Sequence, residues 1–323
     1  MKKHLKVFLC LTAAIVLIVF SHSASEGCRS ALKICSELII PSLFPFFILS
    51  GVITGLKIPQ SIGKKLSGAS QKLFGVSGVG ATALIVGLSC GYPMGAVYIT
   101  DLRKQRVVSA EESERLMGFC SNSGFGFIIG AVGCGVFGNA RYGLILYFTH
   151  AMAAITVGIL MKKRLGKLSF SCCESEIADA EKVELTSLLT ASVKNAVISM
   201  LNVCGFIVLF SVIIRLLDAC GLFSLAIGLI SDKTGIELTW LRSLFCGIFE
   251  LGCAFGEMRT LLPSPASMTL AAFVLGWGGL SVHMQSLSVA GSAEIKGALH
   301  FTGHLLCAGI AAMYTYILTL FLF

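Results

Sequence analysis

Charge is scarce in this chain. Only 13% of its 323 residues are Asp, Glu, Lys or Arg, against roughly 25% in soluble domains. No stretch is long or polar enough to form a separate water-soluble domain. There is no CxxC, and no Cys/His spacing suits zinc, so neither a disulfide framework nor a metal site is indicated. HExxH, a Walker A loop and a Rossmann glycine fingerprint are all missing. ATP-driven transport by this chain alone is therefore disfavoured, and no cofactor is expected. No low-complexity segment appears.

What the chain has in abundance is apolar surface. It is 55% hydrophobic, with a mean hydropathy of +0.87. At about 20 apolar residues per crossing, the length allows some eight to ten membrane segments. The expected class is an all-α polytopic membrane protein. The net charge of +8 fits Lys and Arg in short loops, where they set orientation and meet anionic lipid head groups. Nucleic acid is not the expected partner. The 13 cysteines are scattered. Cys90, Cys120, Cys134, Cys204, Cys246, Cys253 and Cys307 fall in apolar segments and read as small core residues. Cys172–Cys173 is a pair in a charged loop.

The basic Met1–Lys6 followed by the apolar Leu5–Phe20 reads as an uncleaved signal-anchor helix. A cleaved signal peptide is the alternative, with Ser23 and Ala24 at the cleavage position. Apolar segments follow at Ser30–Leu56, Gly78–Thr100, Leu116–Gly138 and Tyr142–Met161. After a polar loop come Thr190–Leu217, Leu238–Glu257, Ser267–Ser292 and Gly297–Leu322. Lys57–Ser77 and Asp218–Ile236 look amphipathic and interfacial. The chain thus divides into an N-terminal helix (1–28), a first repeat (29–161), a cytoplasmic linker (162–188) and a second repeat (189–323).

The halves resemble each other. Pro45–Leu49 falls where Gly205–Leu209 falls in the second half. At the same spacing Gly75 meets Gly235, Leu84 meets Leu244 and Gly87 meets Gly247. Phe148-Thr149-His150 resembles Phe301-Thr302-Gly303-His304. The shared order suggests duplication. Charge sharpens the topology. If every apolar segment crossed, Arg103, Lys104, Arg106 and Arg115 would lie outside, as would Lys162, Lys163, Arg164 and Lys167, against the positive-inside rule. If Gly78–Thr100 is a re-entrant hairpin, both clusters become cytoplasmic. With Leu238–Glu257 as its counterpart, each half has three crossings and one hairpin. The second half is then an inverted copy, with the N-terminus cytoplasmic and the C-terminus outside.

Several polar residues sit where apolar ones are expected. Gly91, Tyr92 and Pro93 mark a helix break; the bland alternative is a kinked but packed helix. Ser121, Asn122 and Ser123 open a glycine-rich run and suit a solute or an ion, or serve as interhelical glue. Glu250 is costly at depth and could couple transport to a proton or sodium ion. A partner in Arg242 is the alternative, although a distance of eight residues demands a fold-back. Ser281, His283 and Gln285 follow a glycine pair in a second polar-lined segment. His300 and His304 share a helix face and are placed at the interface. Gly87-Leu88-Ser89-Cys90-Gly91 matches GxSxG in letters only, because a nucleophile elbow needs a strand–turn–helix setting and Asp–His partners.

Ile40-Pro41-Ser42-Leu43-Phe44-Pro45-Phe46-Phe47, Gly91–Ala96, Ile129–Gly133, Val136–Asn139 and Gly278–His283 together resemble the sporulation integral membrane protein YlbJ family. That family is grouped with nucleoside-recognition, or Gate, domain proteins. The resemblance covers nearly the whole chain after the first helix. It implies residence in the membrane of a spore-forming bacterium and kinship with concentrative nucleoside transporters, built from hairpins and broken helices. It also implies a role tied to the spore cortex and to dipicolinic acid movement. The chain departs from the family pattern at Phe125 and at Leu251-Gly252. The expected function is a secondary transporter for a small polar or anionic solute, with dipicolinate or a related carboxylate first. A nucleoside transporter and a non-transporting membrane scaffold are the alternatives. No enzyme activity is expected. The expected partners are a small solute, a coupling proton or sodium ion, membrane lipids and further copies of the chain.

Overall fold

The computed structural model describes residues 2–165 and 184–322. Cys172–Cys173, Lys167 and most of the expected 162–188 linker lie outside the described residues. Among the described residues the chain is helical, with no strand. The first half runs α1 (Lys2–Val19), α2 (Ser21–Ile34), a π-helical turn (Cys35–Ile39), α3 (Ile40–Gly55), α4 (Ile58–Leu73), α5 (Gly78–Cys90), α6 (Met94–Lys104), α7 (Ala110–Met117), a π-helical segment (Gly126–Cys134) and α8 (Ala140–Leu165). The second half runs α9 (Leu185–Ala219), α10 (Leu222–Thr234), α11 (Leu238–Phe249), α12 (Leu251–Met258), α13 (Pro265–Trp277), α14 (Gly279–Ala290) and α15 (Ala298–Thr319).

Five helical stretches are long and apolar enough to cross a membrane: Ser21–Gly55, Ala140–Arg164, Leu185–Ala219, Pro265–Ala293 and Ala298–Thr319. The chain is an all-α polytopic membrane protein. Its helix ends follow local chemistry. Ser77 accepts from the Gly80 N–H at 2.9 Å and starts α5. Ser109 accepts from the Glu112 N–H at 3.0 Å and starts α7. Ser264 and Ser267 form a reciprocal cap ahead of Pro265 and start α13.

Three expectations about segment bounds and loop charges differ from the structure. The first long helix begins at Ser21, not Ser30: α2 is polar in sequence but runs on into α3. It packs on α9, where Gly27 leaves room for the Arg215 stem. Second, Leu116–Gly138 is not one crossing. α7 ends at Met117, residues 121–124 form no helix, and a π-helical stretch follows. Third, Arg115 is not a loop cation at the lipid head groups. It is buried, and its guanidinium donates to the carbonyls of Gly75 (3.0 Å) and Phe74 (3.4 Å). Beside it Glu112 accepts from the Ser77 N–H at 2.6 Å. α7 thereby holds the 94° bend between α4 and α5. Of the cysteines expected in the core, Cys90, Cys120, Cys246 and Cys307 are buried, Cys204 and Cys253 half-buried, and Cys134 exposed.

Candidate functional site

Three helix pairs break inside the protein, and each break has its own cause. α5 ends because Gly91 takes a left-handed φ of 83° and Pro93 has no N–H to continue the ladder. A side chain at Gly91 would also meet the Gly124 backbone N at 2.8 Å. The Ser121–Gly124 segment therefore runs tight against the break. α11 ends at Glu250, whose backbone is extended (φ −153°) and whose carboxylate accepts from the Cys253 N–H at 2.7 Å. Glu250 is thus the N-cap of α12, and it sits where the positive end of the helix dipole stabilises an acid. Arg242 is not its partner. Arg242 pairs with Asp218 at 3.2 Å and Glu257 at 3.6 Å. A third break falls at Gly278 (φ 84°), between α13 and α14.

The breaks converge on one buried cavity of about 40 Å³. Tyr92, Ser123, Glu250, Ser281 and Gln285 contribute its polar lining, while Leu43, Phe127, Val203 and Ile207 supply apolar wall. Tyr92 and Ser123 come from the first half, and Glu250, Ser281 and Gln285 from the second. Ser123 donates its hydroxyl to the Leu275 carbonyl at 3.3 Å, and its N–H to Nε2 of His150 at 3.3 Å. Gln285 donates to the Ser281 hydroxyl at 3.1 Å. These two are one helical turn apart, so they share a face.

Other expected site residues lie elsewhere. Gly91 and Pro93 shape the break without lining the cavity. Asn122 turns back to the Phe119 carbonyl at 2.9 Å, and Ser121 meets Ser286 at 3.5 Å. His283, two residues from Ser281 and from Gln285, points to the other side of α14. Its ring packs on Trp277 (4.4 Å between centroids), His300 (4.9 Å) and His304 (5.0 Å). His300 and His304 are not at the interface, because both are buried. Sequence reasoning missed that all three imidazoles meet. The i,i+2 spacing of His283 from Ser281 was the available signal that it leaves the cavity face. Among the described residues no group of His, Cys, Asp and Glu is arranged to hold a metal ion. Ser89 of the GxSxG string lies in the last turn of α5, not in a strand–turn–helix.

No protein-family model matches the chain. Among curated proteins it is similar to the sporulation integral membrane protein YlbJ of Bacillus subtilis (strain 168). The two are 31% identical over 342 aligned positions, covering 96% of this chain and 81% of the relative. The chain belongs to the YlbJ family. Among solved structures it is similar to a CNTnw double variant in an outward-facing state. That match has 15% identity and a TM-score of 0.48, covering 98% of this chain and 85% of the other. Family membership fits the membrane-spanning helices described above.

Proposed function

We propose that this protein is a secondary transporter for a small polar or anionic solute, with dipicolinate or a related small carboxylate as the favoured class. The single observation that carries the reading is the convergence, on one buried cavity, of polar groups from helix breaks in both halves. Broken backbone at membrane depth is tolerated where it lines a cavity, and such breaks are a recurrent plan of solute sites. A carboxylate solute would sit on the Tyr92–Ser123–Gln285 wall, away from Glu250, which already fills the start of α12. Solute pockets typically have about 300–1,000 Å³. A cavity of about 40 Å³ therefore represents a contracted state, and the hairpins must part to admit the solute. We further propose that the halves, 29–161 and 189–323, act as inverted repeats. Lipids surround them, and the N-terminus faces the cytoplasm. The sporulation role named for the relative, and assembly with further copies of the chain, belong to the same proposal.

One observation favours a second reading. A buried carboxylate in the wall is an acceptor, and it suits a donor-rich neutral solute such as a nucleoside. Proteoliposomes holding the full chain, offered labelled dipicolinate and uridine side by side, separate the two. The first reading expects dipicolinate flux that weakens in Ser123→Ala and persists in Glu250→Gln. The second expects uridine flux that Glu250→Gln abolishes. Flux of neither solute through well-folded protein would sink both named substrates and leave another small solute or a membrane scaffold.

A further inference from the structure

The imidazoles behind the cavity carry an arrangement that solute binding alone does not use. His283, His300 and His304 meet ring to ring, the last two at 4.2 Å between centroids. Their partners dictate their tautomers. Nδ1 of His300 faces the Met117 carbonyl at 3.2 Å, and Nδ1 of His304 faces the Gly276 carbonyl at 3.3 Å. A carbonyl only accepts, so both Nδ1 atoms carry the proton and both Nε2 atoms are bare acceptors. Neither Nε2 has a hydrogen-bond partner among the described residues, and the ring nitrogens of His283 meet only the backbone of Trp277, out of good alignment. Buried polar atoms are nearly always partnered. The two bare Nε2 atoms, on rings 4.2 Å apart between centroids, are therefore free to take up a proton.

The cluster is linked to the cavity. The Tyr92 hydroxyl lies 3.3 Å from Nδ1 of His304 and 3.4 Å from the Leu275 carbonyl, and the same tyrosine lines the cavity. We propose that His283, His300 and His304 form a proton-binding site, coupled through Tyr92 to the solute cavity, so that one proton travels with one solute carboxylate. This rests on the carboxylate reading above.

The surroundings explain why proton and anion need each other. α13 brings no ionisable side chain. α7 brings Glu111, Glu112, Glu114 and Arg115. Glu114 is spent on the Gly297 N–H (3.0 Å), Glu112 on Ser77, and Arg115 on the Phe74 and Gly75 carbonyls. α8 brings His150, bound to Ser123, and Lys162, bound to the Lys72 carbonyl. α6 brings Tyr98, held by Thr82, and Asp101, Arg103 and Lys104 toward its far end. The turn before α15 adds Glu294 and Lys296, and α15 itself adds Cys307 and Tyr314. From the cavity side α9 brings Cys204, α11 brings Cys246 and Arg242, the latter paired with Asp218 and Glu257, and Glu250 between α11 and α12 is committed to its cap. Among the described residues no carboxylate pairs with an imidazole of the cluster. An imidazolium there is an isolated buried charge, and such a charge is strongly disfavoured. A solute carboxylate on the far side of Tyr92 supplies the counter-charge. His304 Nδ1–H then donates to the Tyr92 oxygen, and Tyr92 O–H donates to the carboxylate. The proton enters from water with the solute and leaves with it, so one carboxylate charge is offset and a dicarboxylate crosses with a net charge of −1.

Trp277 packs on His283 and reports on this site directly, because an imidazolium quenches an adjacent indole far more than a neutral imidazole does. The chain has two tryptophans, so Trp240→Phe leaves Trp277 as the sole emitter. The full-length variant in lipid vesicles is titrated over roughly pH 3 to 8, reaching below the range where histidine ordinarily changes charge because a buried imidazolium is disfavoured, with and without dipicolinate. The expected result is emission that falls on acidification, with a proton affinity raised by dipicolinate about 5- to 150-fold, the usual range of coupling between two sites. His283→Gln is expected to flatten the curve. Flat emission in Trp240→Phe itself, with and without solute, overturns the proton site and does not depend on any further variant folding. A transition that dipicolinate leaves unmoved overturns the coupling. If proteoliposome flux of dipicolinate is also absent, the solute reading has failed and the proton site stands. If dipicolinate flux is present, the solute reading stands and the linkage through Tyr92 has failed.

Discussion

The two hairpins around the cavity solve one backbone problem in different ways. In α5–α6 the helix stops because Gly91 and Pro93 cannot continue it, and the neighbouring Ser121–Gly124 segment packs against bare backbone. In α11–α12 the helix stops at Glu250, and a side chain satisfies the N–H groups of the next helix. The far ends differ in the same sense. The bend leading into α5 is clamped by the buried Glu112 and Arg115. Helices α11 and α12 are tied by Arg242 to Asp218 and Glu257, where the side chains stay 21% to 36% exposed. The first hairpin is locked by sterics and interior hydrogen bonds. The second is held by one cap and by two partly exposed ion pairs that share Arg242. Of the two, the second is the less rigidly held, and on the transporter reading proposed above it is the one expected to move.

Substitutions test that asymmetry, and the largest effect belongs to Gly91. Gly91→Ala combines a left-handed φ with a clash on the Gly124 backbone, so a loss of about 2–6 kcal/mol is expected from strain and overpacking together. Gly235→Ala also has a positive φ (69°), but in the milder left-handed α region and with open space around it, and it should cost about 1 kcal/mol from conformation alone. Thermal unfolding of the two in lipid measures the difference; equal losses would remove the steric lock.

Arg115→Ala leaves the carbonyls of Phe74 and Gly75 without their charged donor. The expected loss is about 3 kcal/mol, visible as a lower unfolding midpoint. Glu250→Ala removes the α12 cap and should cost about 0.5–2 kcal/mol, while Glu250→Gln keeps an oxygen acceptor and should cost less. Hydrogen exchange confined to α12 would reveal that local loss. Arg242→Ala should be the mildest, within about 1 kcal/mol for a partly exposed pair, and salt should erase its effect. A larger loss for Arg242→Ala than for Arg115→Ala would reverse the assignment of rigid and mobile hairpins.

Much of the candidate site was readable along the chain, and the rest was not, for reasons that differ by residue. The break at Gly91–Pro93 is local, because a left-handed glycine and a missing N–H act within a few residues. Ser121–Ser123 stood out because polar groups are rare in an apolar run. Ser281 and Gln285 share a face by helical spacing, but His283 between them was grouped with them too readily. The role of Glu250 as a cap was hidden because Glu is an unusual cap, although Gly247 and Gly252 beside it fit the break. The burial of Arg115, His300 and His304 was misread, since charge and a place near a helix end suggest a surface.

Composition by itself determined that this chain lives in a membrane as helices, because apolar surface on that scale and so few charges leave no other stable state. Glycine, proline and capping serine determined most of the places where those helices start and stop. Only the tertiary structure decided which face of each helix looks inward. It gathered Tyr92, Ser123, Glu250, Ser281 and Gln285 on one side of α14 and three histidines on the other. The reason is rotational: propensity says that a helix forms, while its orientation about its own axis is set by packing against segments a hundred or more residues away.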